Sequence, residues 1–308
     1  MILSTIIDKN SGCGGGAANT GKLGCKIVFS TPLHFIGLLA GTVIPANTDF
    51  NKAYIQGLIQ AGTAIPLIGA DAFEPMHAED AVNTNTAGIE RVTLKGLPKY
   101  KVTYQEGSAF YKELAKLTSF KNLDFIIGDS EGNWKMVLLS NGDFKGFRAG
   151  QVNALMTSDR TQGGESENKP LTIQFLSRLE WDKNYGIVTR ANVDFDPEDI
   201  TGVNGVKLTF NEAPANLDTT LKIVAKLASD NNTLVTGLVT ANFLVKVDGA
   251  TVVATAVEAS GVYTLTLPAL ATADVVTVDL YDSVANKDIV LSGDILYRSE
   301  TITATVIA

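Results

Sequence analysis

A glycine-rich segment near the start of the chain has the spacing of a phosphate-binding P-loop, Gly16-Ala17-Ala18-Asn19-Thr20-Gly21-Lys22. A working P-loop follows a strand, opens a helix whose N-terminus faces the phosphates, and places Ser or Thr after the lysine to hold Mg²⁺. Here Leu23 follows the lysine, and the next residues have the composition of a strand. We therefore interpret residues 16–22 as a flexible assembly loop rather than a nucleotide site.

The histidines do not belong to a recognisable metal or acid–base motif. His34 and His77 lie in unrelated contexts, and the sequence has no His-x-x-x-His or Cys-x-x-Cys pair of the kind that binds zinc. His77 lies among acidic residues in the segment 74–80, where it could form an acid–base pair with a glutamate. The composition of that segment favours a solvated loop instead.

An acidic run offers carboxylate oxygens that could ligate Ca²⁺, namely Asp194, Asp196, Glu198 and Asp199. Pro197 and the missing turn glycine break any EF-hand-like loop, so we interpret residues 194–202 as a solvated interdomain linker. Gly-x-Ser-x-Gly, the commonest serine-hydrolase motif, is also absent. The sequence therefore predicts no catalytic residue, no cofactor site and no metal site, and we expect the protein not to be an enzyme.

Aromatic residues are frequent in the middle of the chain, where three lysines (Lys95, Lys99 and Lys101) lie close to them: Tyr100, Tyr104, Phe110, Tyr111, Trp134 and Trp181. Interleaved lysines and aromatics can bind single-stranded nucleic acid, but a core face with a solvated opposite face explains the same residues. The formal net charge of −8 favours the core interpretation, because nucleic-acid binders need a basic surface. We expect DNA to be at most a non-specific cargo.

The two cysteines, Cys13 and Cys25, flank the glycine-rich loop. They could form a disulfide across it or remain free thiols, and the sequence leaves both possibilities open. The first residues lack the basic and apolar regions of a secretory signal. No window approaches the run of about 20 apolar residues that a membrane-spanning helix needs. We expect synthesis in a cytoplasm and no membrane span.

The first 200 residues are predicted to form an α+β domain, an antiparallel sheet or sandwich with one or two helices. Helices are predicted at 49–60, with Asp49 as N-cap and Gly62 at the end, and at 108–117. Strands are predicted at 2–8, 23–30, 89–94, 100–104 and 171–176. Two further strands, 124–127 and 135–139, flank a hairpin turn at 129–133.

The segment 206–308 is predicted to be a second, all-β domain. It contains no Trp, Cys, His or Met, and its 6 Lys and Arg residues stand against 11 Asp and Glu. Short strands are predicted at 221–227, 243–247, 250–257, 262–267, 275–281 and 301–307, with an Asp248-Gly249 turn. This spacing favours a β-sandwich, although an eight-stranded barrel would produce nearly the same pattern.

Two segments of this second domain resemble the middle strands of bacterial and phage Ig-like domains. They are Phe243-Leu244-Val245-Lys246-Val247-Asp248-Gly249 and Gly261-Val262-Tyr263-Thr264-Leu265-Thr266-Leu267-Pro268. The similarity is one of pattern and covers about a third of the chain, without the cysteine pair or core tryptophan of antibody domains. It implies an Ig-like β-sandwich of the type added to surface and virion proteins.

The first domain is similar to tail-tube and related ring-forming proteins of tailed bacteriophages. The similarity lies in the glycine-rich N-terminal loop, in strand pairs around a helix, and in the order of three later segments: Asp143-Phe144-Lys145-Gly146-Phe147-Arg148-Ala149-Gly150, a long polar loop, and the strand 171–176. It covers residues 85–192 and rests on strand order, so it transfers no functional residue.

The two resemblances together imply a structural virion protein assembled in the host cytoplasm. We expect a tail-tube or other ring-forming subunit that joins its copies edge to edge into a ring or tube and contacts other virion proteins. Residues 9–22 and 157–170 would be its assembly arms, and the Ig-like domain would project outward. The alternatives are another virion part (a neck or portal ring, a capsid decoration or a fibre base) and a bacterial surface adhesion or carbohydrate-binding module.

Overall fold

The computed structural model describes residues 2–8, 28–119, 123–154 and 169–308. The chain divides into two units, unit 1 with residues 1–58 and 63–200, and unit 2 with residues 59–62 and 201–308. Both units consist mainly of β-strands, and the described residues contain four short α-helices. The predicted class, mainly β with an α+β first part, is confirmed.

Unit 1 is built around an eleven-stranded sheet whose strand pairs are all antiparallel. Its main path runs β1-β13-β9-β8-β11-β12-β7-β4, while β10 pairs with β9 and β2 pairs with β3 and β8; β5 and β6 form a separate pair. The strands are β1 (Ile7–Asp8), β2 (Pro32–Leu39), β3 (Ala64–Leu67), β4 (Ala72–Pro75), β5 (Ala81–Thr84), β6 (Glu90–Leu94), β7 (Lys99–Tyr104), β8 (Leu123–Asp129), β9 (Trp134–Leu138), β10 (Phe144–Lys145), β11 (Phe147–Ala154), β12 (Lys169–Phe175) and β13 (Tyr185–Val188).

Strand β11 changes its partner along its length and so bends the sheet. Phe147 and Arg148 pair with β8, whereas the residues from Ala149 onward pair with β12, with a register shift before Gln151. Gly150 lies at this bulge, where an added Cβ would come within 2.3 Å of the Leu176 side chain. Bulges increase local twist and curvature, so this one folds the sheet over a shared aromatic core.

The core of unit 1 is rich in aromatic rings. Phe125, Phe147 and Phe175 are fully buried, and Phe175 meets each of the other two edge to face, with ring centroids 6.2 Å and 6.3 Å apart. Edge-to-face pairs add to the free energy gained by burying the rings themselves. Because most of the aromatics singled out in the sequence are buried here or packed against this core, the core interpretation of that region is correct.

Two buried carboxylates organise the interior of unit 1. Asp129 accepts backbone N–H bonds from Ser30, Glu131 and Asn133, and a side-chain bond from the Asn133 amide, so it holds the turn between β8 and β9 together. Asp124 is 0% exposed and pairs with the guanidinium of Arg148 on β11. Buried polar groups need such partners, because an unpaired one costs the whole desolvation penalty.

The described residues form four short helices: α1 (Leu3–Ile6), α2 (Lys52–Gln60), α3 (Ser108–Lys116) and α4 (Arg178–Asp182). The helices predicted at 49–60 and 108–117 are confirmed. Asn51, rather than Asp49, caps α2, because its Oδ1 accepts the Tyr54 N–H at 2.8 Å. None of the helices in the described residues is long and apolar enough to cross a membrane.

Two sequence-based predictions for the N-terminal region are wrong. Residues 2–8 are not a continuous strand, because Leu3–Ile6 forms a helical turn that buries Leu3 and Ile6. The strand predicted at 23–30 does not extend over residues 28–30, and its remaining residues lie outside the described part of the chain. The first long strand is β2, in which only Gly37 interrupts the apolar run after His34.

The acidic segment after residue 193 is anchored in unit 1 and is not a solvated linker. Phe195 and Ile200 are buried, and the Phe195 ring lies 6.1 Å from that of Trp134. Asp196 accepts a bond from Arg190, and its own backbone N–H donates to Asp199. The aromatic and aliphatic residues between the carboxylates decide this arrangement, because burying them stabilises the segment against the sheet.

Unit 2 consists of two sheets that enclose one hydrophobic core. The six-stranded sheet has the order β18-β19-β15-β14-β22-β21, and the four-stranded sheet has the order β17-β16-β20-β23. The strands are β14 (Val203–Phe210), β15 (Thr220–Leu227), β16 (Phe243–Val247), β17 (Ala250–Val252), β18 (Thr255–Ala259), β19 (Val262–Thr266), β20 (Val275–Leu280), β21 (Val290–Ser292), β22 (Ile295–Ser299) and β23 (Ile302–Thr305).

Several strands of unit 2 alternate between core and solvent. On β15, Leu221, Ile223 and Ala225 face the core while their neighbours face outward. The predicted turn between β16 and β17 is present, with Asp248 and Gly249 both at positive φ, as a tight two-residue hairpin requires. The segment predicted as one strand at 250–257 is divided between β17 and β18, which belong to different sheets.

Candidate assembly interface

A two-stranded β-ribbon projects from the edge of the unit 1 sheet. Every residue from 74 to 95 is exposed, and β5 and β6 within this segment pair only with each other in the described part of the chain. We call residues 74–95 the ribbon. Its first two residues are the last two of β4, and it ends shortly before β7, the strand with which β4 pairs antiparallel.

The tip of the ribbon is a turn organised by one asparagine. The Asn85 Oδ1 accepts the backbone N–H groups of Ala87 and Ile89, and the Asn85 carbonyl accepts the N–H of Gly88 at 2.9 Å. Gly88 has a φ of 77°, which a glycine adopts without strain. The turn is therefore specified locally by Asn85 and Gly88.

The base of the ribbon is held by side chains that bridge its two strands. The Asp80 carboxylate accepts the Gly96 N–H at 2.7 Å, and the His77 Nδ1 accepts the Lys99 N–H at 3.2 Å. Gly96 approaches the other strand so closely that an added Cβ would lie 1.8 Å from the Ala78 carbonyl oxygen. Only glycine fits there, and the close contact fixes how the two strands cross.

Helix α4 supports the ribbon from the sheet side. Arg178 donates to the Gly96 carbonyl at 3.0 Å and also to the Asp182 carboxylate, which lies 3.8 Å from the Lys95 ammonium. These contacts join the base of the ribbon to the end of β12. The ribbon is thus anchored at its base while its distal part extends into solvent.

The distal ribbon exposes three large apolar side chains. Val82 lies opposite Val92 and shares its face with the pair Thr84 and Glu90, whereas Leu94 lies opposite Ala81, beyond a register shift in the pairing. The three side chains are 48%, 53% and 71% exposed, so about half or more of each is open to solvent. Asn83 and Arg91, which lie opposite each other, form the other face.

This exposure is physically unfavourable for an isolated chain. A lone two-stranded hairpin is only marginally stable in water, and its two free edges present unpaired backbone groups. Exposed apolar side chains on such a ribbon gain free energy when a second surface covers them. The arrangement is suited to docking on a complementary surface, with no chemical step required.

The predicted assembly arms lie largely outside the part of the chain that the structure describes. This applies to residues 9–22, with the P-loop-like segment 16–22 and Cys13, and to Cys25; of the arm predicted at 157–170, only residues 169 and 170 are described, and they begin β12. The ribbon was not predicted as an arm, although its residues 89–94 were assigned to a strand. The signal for it was the turn-rich segment 83–88 between two short runs of strand composition.

The candidate acid–base and metal residues are not brought together. His34 is buried on β2, where its Nδ1 accepts the Gly69 N–H at 3.2 Å and burial lowers the pKa of the imidazole. His77 lies at the base of the ribbon. Among the described residues, no group of three or more His, Cys, Asp or Glu side chains could hold a metal ion.

One lysine of unit 1 lies among aromatic rings. The Lys135 ammonium is 4.0 Å from the ring centroid of Tyr185 and 4.5 Å from that of Trp181, with Phe147 and Phe29 slightly farther away. Burial lowers the pKa of this lysine to about 8, and the nearby Asp182 opposes that shift. Ring faces attract cations, so the cage offsets part of the cost of burying the charge.

No protein-family model matches this chain, and no curated protein matches it significantly.

Proposed function

We propose that this protein is a structural subunit of a tailed-bacteriophage virion, of the tail-tube or ring-forming type, that self-assembles through the ribbon. The observation that carries the proposal is the ribbon at residues 74–95, in which every residue is exposed, including the apolar Val82, Val92 and Leu94. A second copy of the chain can bury Val82, Val92 and Leu94 and form hydrogen bonds with the unpaired backbone groups along the ribbon's free edges.

The ring or tube requires that the ribbon of one copy docks on a different patch of its neighbour, away from the neighbour's own ribbon. Such heterologous contacts generate rings when the rotation closes and helical tubes when it does not. The net charge of −8 suits a lumen through which DNA passes without binding.

We further propose that unit 2 is an Ig-like domain that projects from the assembly. Its strand order supports this assignment. The path β18-β19-β15-β14 corresponds to strands D-E-B-A of an Ig sandwich, and β17-β16-β20-β23 corresponds to C′-C-F-G. The hairpin β21–β22 is an addition between the last two of these strands, and β22 joins the sheet parallel to β14.

Other virion positions, such as a neck or portal ring, a capsid decoration or a fibre base, would use the same ribbon contact. The alternative of an adhesion or carbohydrate-binding module predicts an exposed aromatic platform. Every Phe, Tyr and Trp in the described residues is buried or half-buried. That observation does not favour the alternative.

The proposal is tested by the ribbon variant Val82→Thr/Val92→Thr/Leu94→Thr. Threonine keeps a high strand propensity but removes most of the apolar surface. We expect the wild-type chain to form rings or tubes in negative-stain microscopy and light scattering. The variant should self-associate at least about tenfold more weakly, because central apolar anchors dominate interface energies.

The matched control is Val253→Thr/Val257→Thr/Val284→Thr in unit 2, where the three valines are 85%, 67% and 86% exposed. This variant removes similar exposed apolar surface and should assemble like the wild type. A wild-type chain that stays monomeric at high concentration, or a ribbon variant that assembles normally, would contradict the proposal.

A further inference from the structure

The outer face of the six-stranded sheet in unit 2 is cationic although the unit as a whole is acidic. Four of the six Lys and Arg residues after position 205 lie on its strands at positions that face away from the core: Lys207, Lys222, Lys226 and Arg298. Lys222 is paired with Glu212. The other three cations lie on β14 and on the two strands that pair with it, β15 and β22.

Two of these lysines face each other directly. Lys207 on β14 lies opposite Lys226 on β15, and neither ammonium group has an ion-pair or hydrogen-bond partner among the described residues. Like charges directly opposite each other destabilise an antiparallel pair. The two strands therefore hold a charge pair that their own folding disfavours, and an anion between the ammonium groups would relieve the repulsion.

A cavity of about 330 Å³ opens at this position. Thr209 and Val224, which are cross-strand partners, line it together with Phe210 and the two lysines. Asn211 and Asn231 also line it, so amide and hydroxyl groups accompany the cations. Its volume is at the lower end of the range for small-ligand sites. No carboxylate lines it.

We propose that this cavity binds a dianionic phosphate group, carried by a phosphomonoester. Two unpaired ammonium groups present a charge that a phosphate monoester balances above its second pKa near 6, whereas a carboxylate would balance only half. The Thr209 hydroxyl and the asparagine amides can donate hydrogen bonds to the remaining phosphate oxygens.

The strand pairing around the cavity favours a small ligand over an added peptide strand. Both β14 and β15 are central strands whose two edges are already paired, β14 with β15 and β22, and β15 with β14 and β19. A peptide cannot extend the sheet here, so recognition must come from the side chains. The site lies within unit 2 and does not depend on the assembly proposed above.

The test uses the 308-residue chain and titrates phosphoserine, inorganic phosphate, sulfate and acetate by isothermal titration calorimetry at constant ionic strength. We expect both phosphates to bind at pH 7.5, and acetate to bind at least about tenfold more weakly, since it has one charge. Phosphate binding should weaken markedly at pH 5, where the phosphate takes up a proton, whereas sulfate, which remains dianionic, should bind equally at both pH values.

The variant Lys207→Gln/Lys226→Gln should lose phosphate binding at least about tenfold. It removes a repulsion, so its thermal unfolding should not occur below that of the wild type, and loss of binding cannot be attributed to misfolding. The control Lys246→Gln removes a cation from the other sheet and should bind normally. Equal binding of acetate, unchanged binding in the double variant, or binding of inorganic phosphate without phosphoserine would overturn the proposal.

Discussion

Units 1 and 2 are both β-structures, but their interiors differ in chemistry. Unit 1 buries Asp124, Asp129, Asn133, His34 and Gln56, whereas the buried polar residue of unit 2 is Asn242. The core of unit 1 also contains most of the aromatic rings, while the core of unit 2 consists mainly of Val, Leu and Ile. Unit 1 thus combines specific polar networks with a projecting ribbon, and unit 2 relies on regular alternation.

This difference determines which substitutions destabilise each unit most. A buried charge that loses its partner is strongly destabilising, while an aliphatic core responds mainly to lost volume. Both tryptophans, Trp134 and Trp181, belong to unit 1. Tryptophan fluorescence therefore reports the unfolding of unit 1, and far-UV circular dichroism reports both units.

The largest effect is expected from Arg148→Met, which leaves the buried Asp124 carboxylate without its guanidinium partner. Unit 1 should lose about 3–5 kcal/mol of stability, because the charge stays desolvated and uncompensated. Urea unfolding followed by tryptophan fluorescence measures this loss. The double variant Asp124→Leu/Arg148→Met removes both charges and should recover most of it. If the double variant is as unstable as the single one, lost packing rather than the unpaired charge is responsible.

A core truncation in unit 2 comes next. Ile223→Ala removes volume at a position that is 0% exposed and should cost about 2–5 kcal/mol. Because each unit has its own core, the circular dichroism transition of unit 2 should shift while the tryptophan transition stays in place. The exposed control Val257→Ala should change stability by less than about 0.5 kcal/mol. Equal shifts in both probes would show that the units unfold together.

The smallest effect concerns Lys135, whose pKa is lowered from 10.5 to about 8 by burial. Between these two values the unfolded chain still binds a proton that the folded chain has released, so the stability of unit 1 should rise with pH. The rise is at most a few kcal/mol, since one pKa unit corresponds to about 1.4 kcal/mol.

Lys135→Met keeps the apolar stem without the charge, so it should stabilise unit 1 at pH 7 and remove this part of the pH dependence. Tryptophan-monitored urea unfolding at pH 7, 9 and 10 compares the two chains. The difference between them isolates Lys135 from the other titrating groups. Parallel pH profiles for variant and wild type would contradict the lowered pKa.

Unit 2 was the more predictable half, because its strands alternate with a period of two and its turns use Asp248-Gly249 and similar pairs. The strand β16 coincides with its predicted bounds, and β15, β19 and β20 differ from theirs by a residue or so. The hairpin β21–β22 was missed, since Val290–Ser292 and Ile295–Ser299 are short and irregular in composition. In unit 1, helix α2 followed from its apolar spacing, whereas the cap at Asn51 depended on the local backbone.

The sequence by itself determined the β-rich class, the two principal helices of unit 1 and the strands β15, β16, β19 and β20 of unit 2, because local periodicity and turn chemistry specify these elements. Only the tertiary structure decided that every residue from 74 to 95 is exposed, that Phe195 and Ile200 anchor the acidic segment by being buried, and that Lys207 lies opposite Lys226. Each of these depends on contacts between residues distant along the chain or on strand register. A single sequence does not encode such relations in any local pattern, since they arise when sheets form and the core closes.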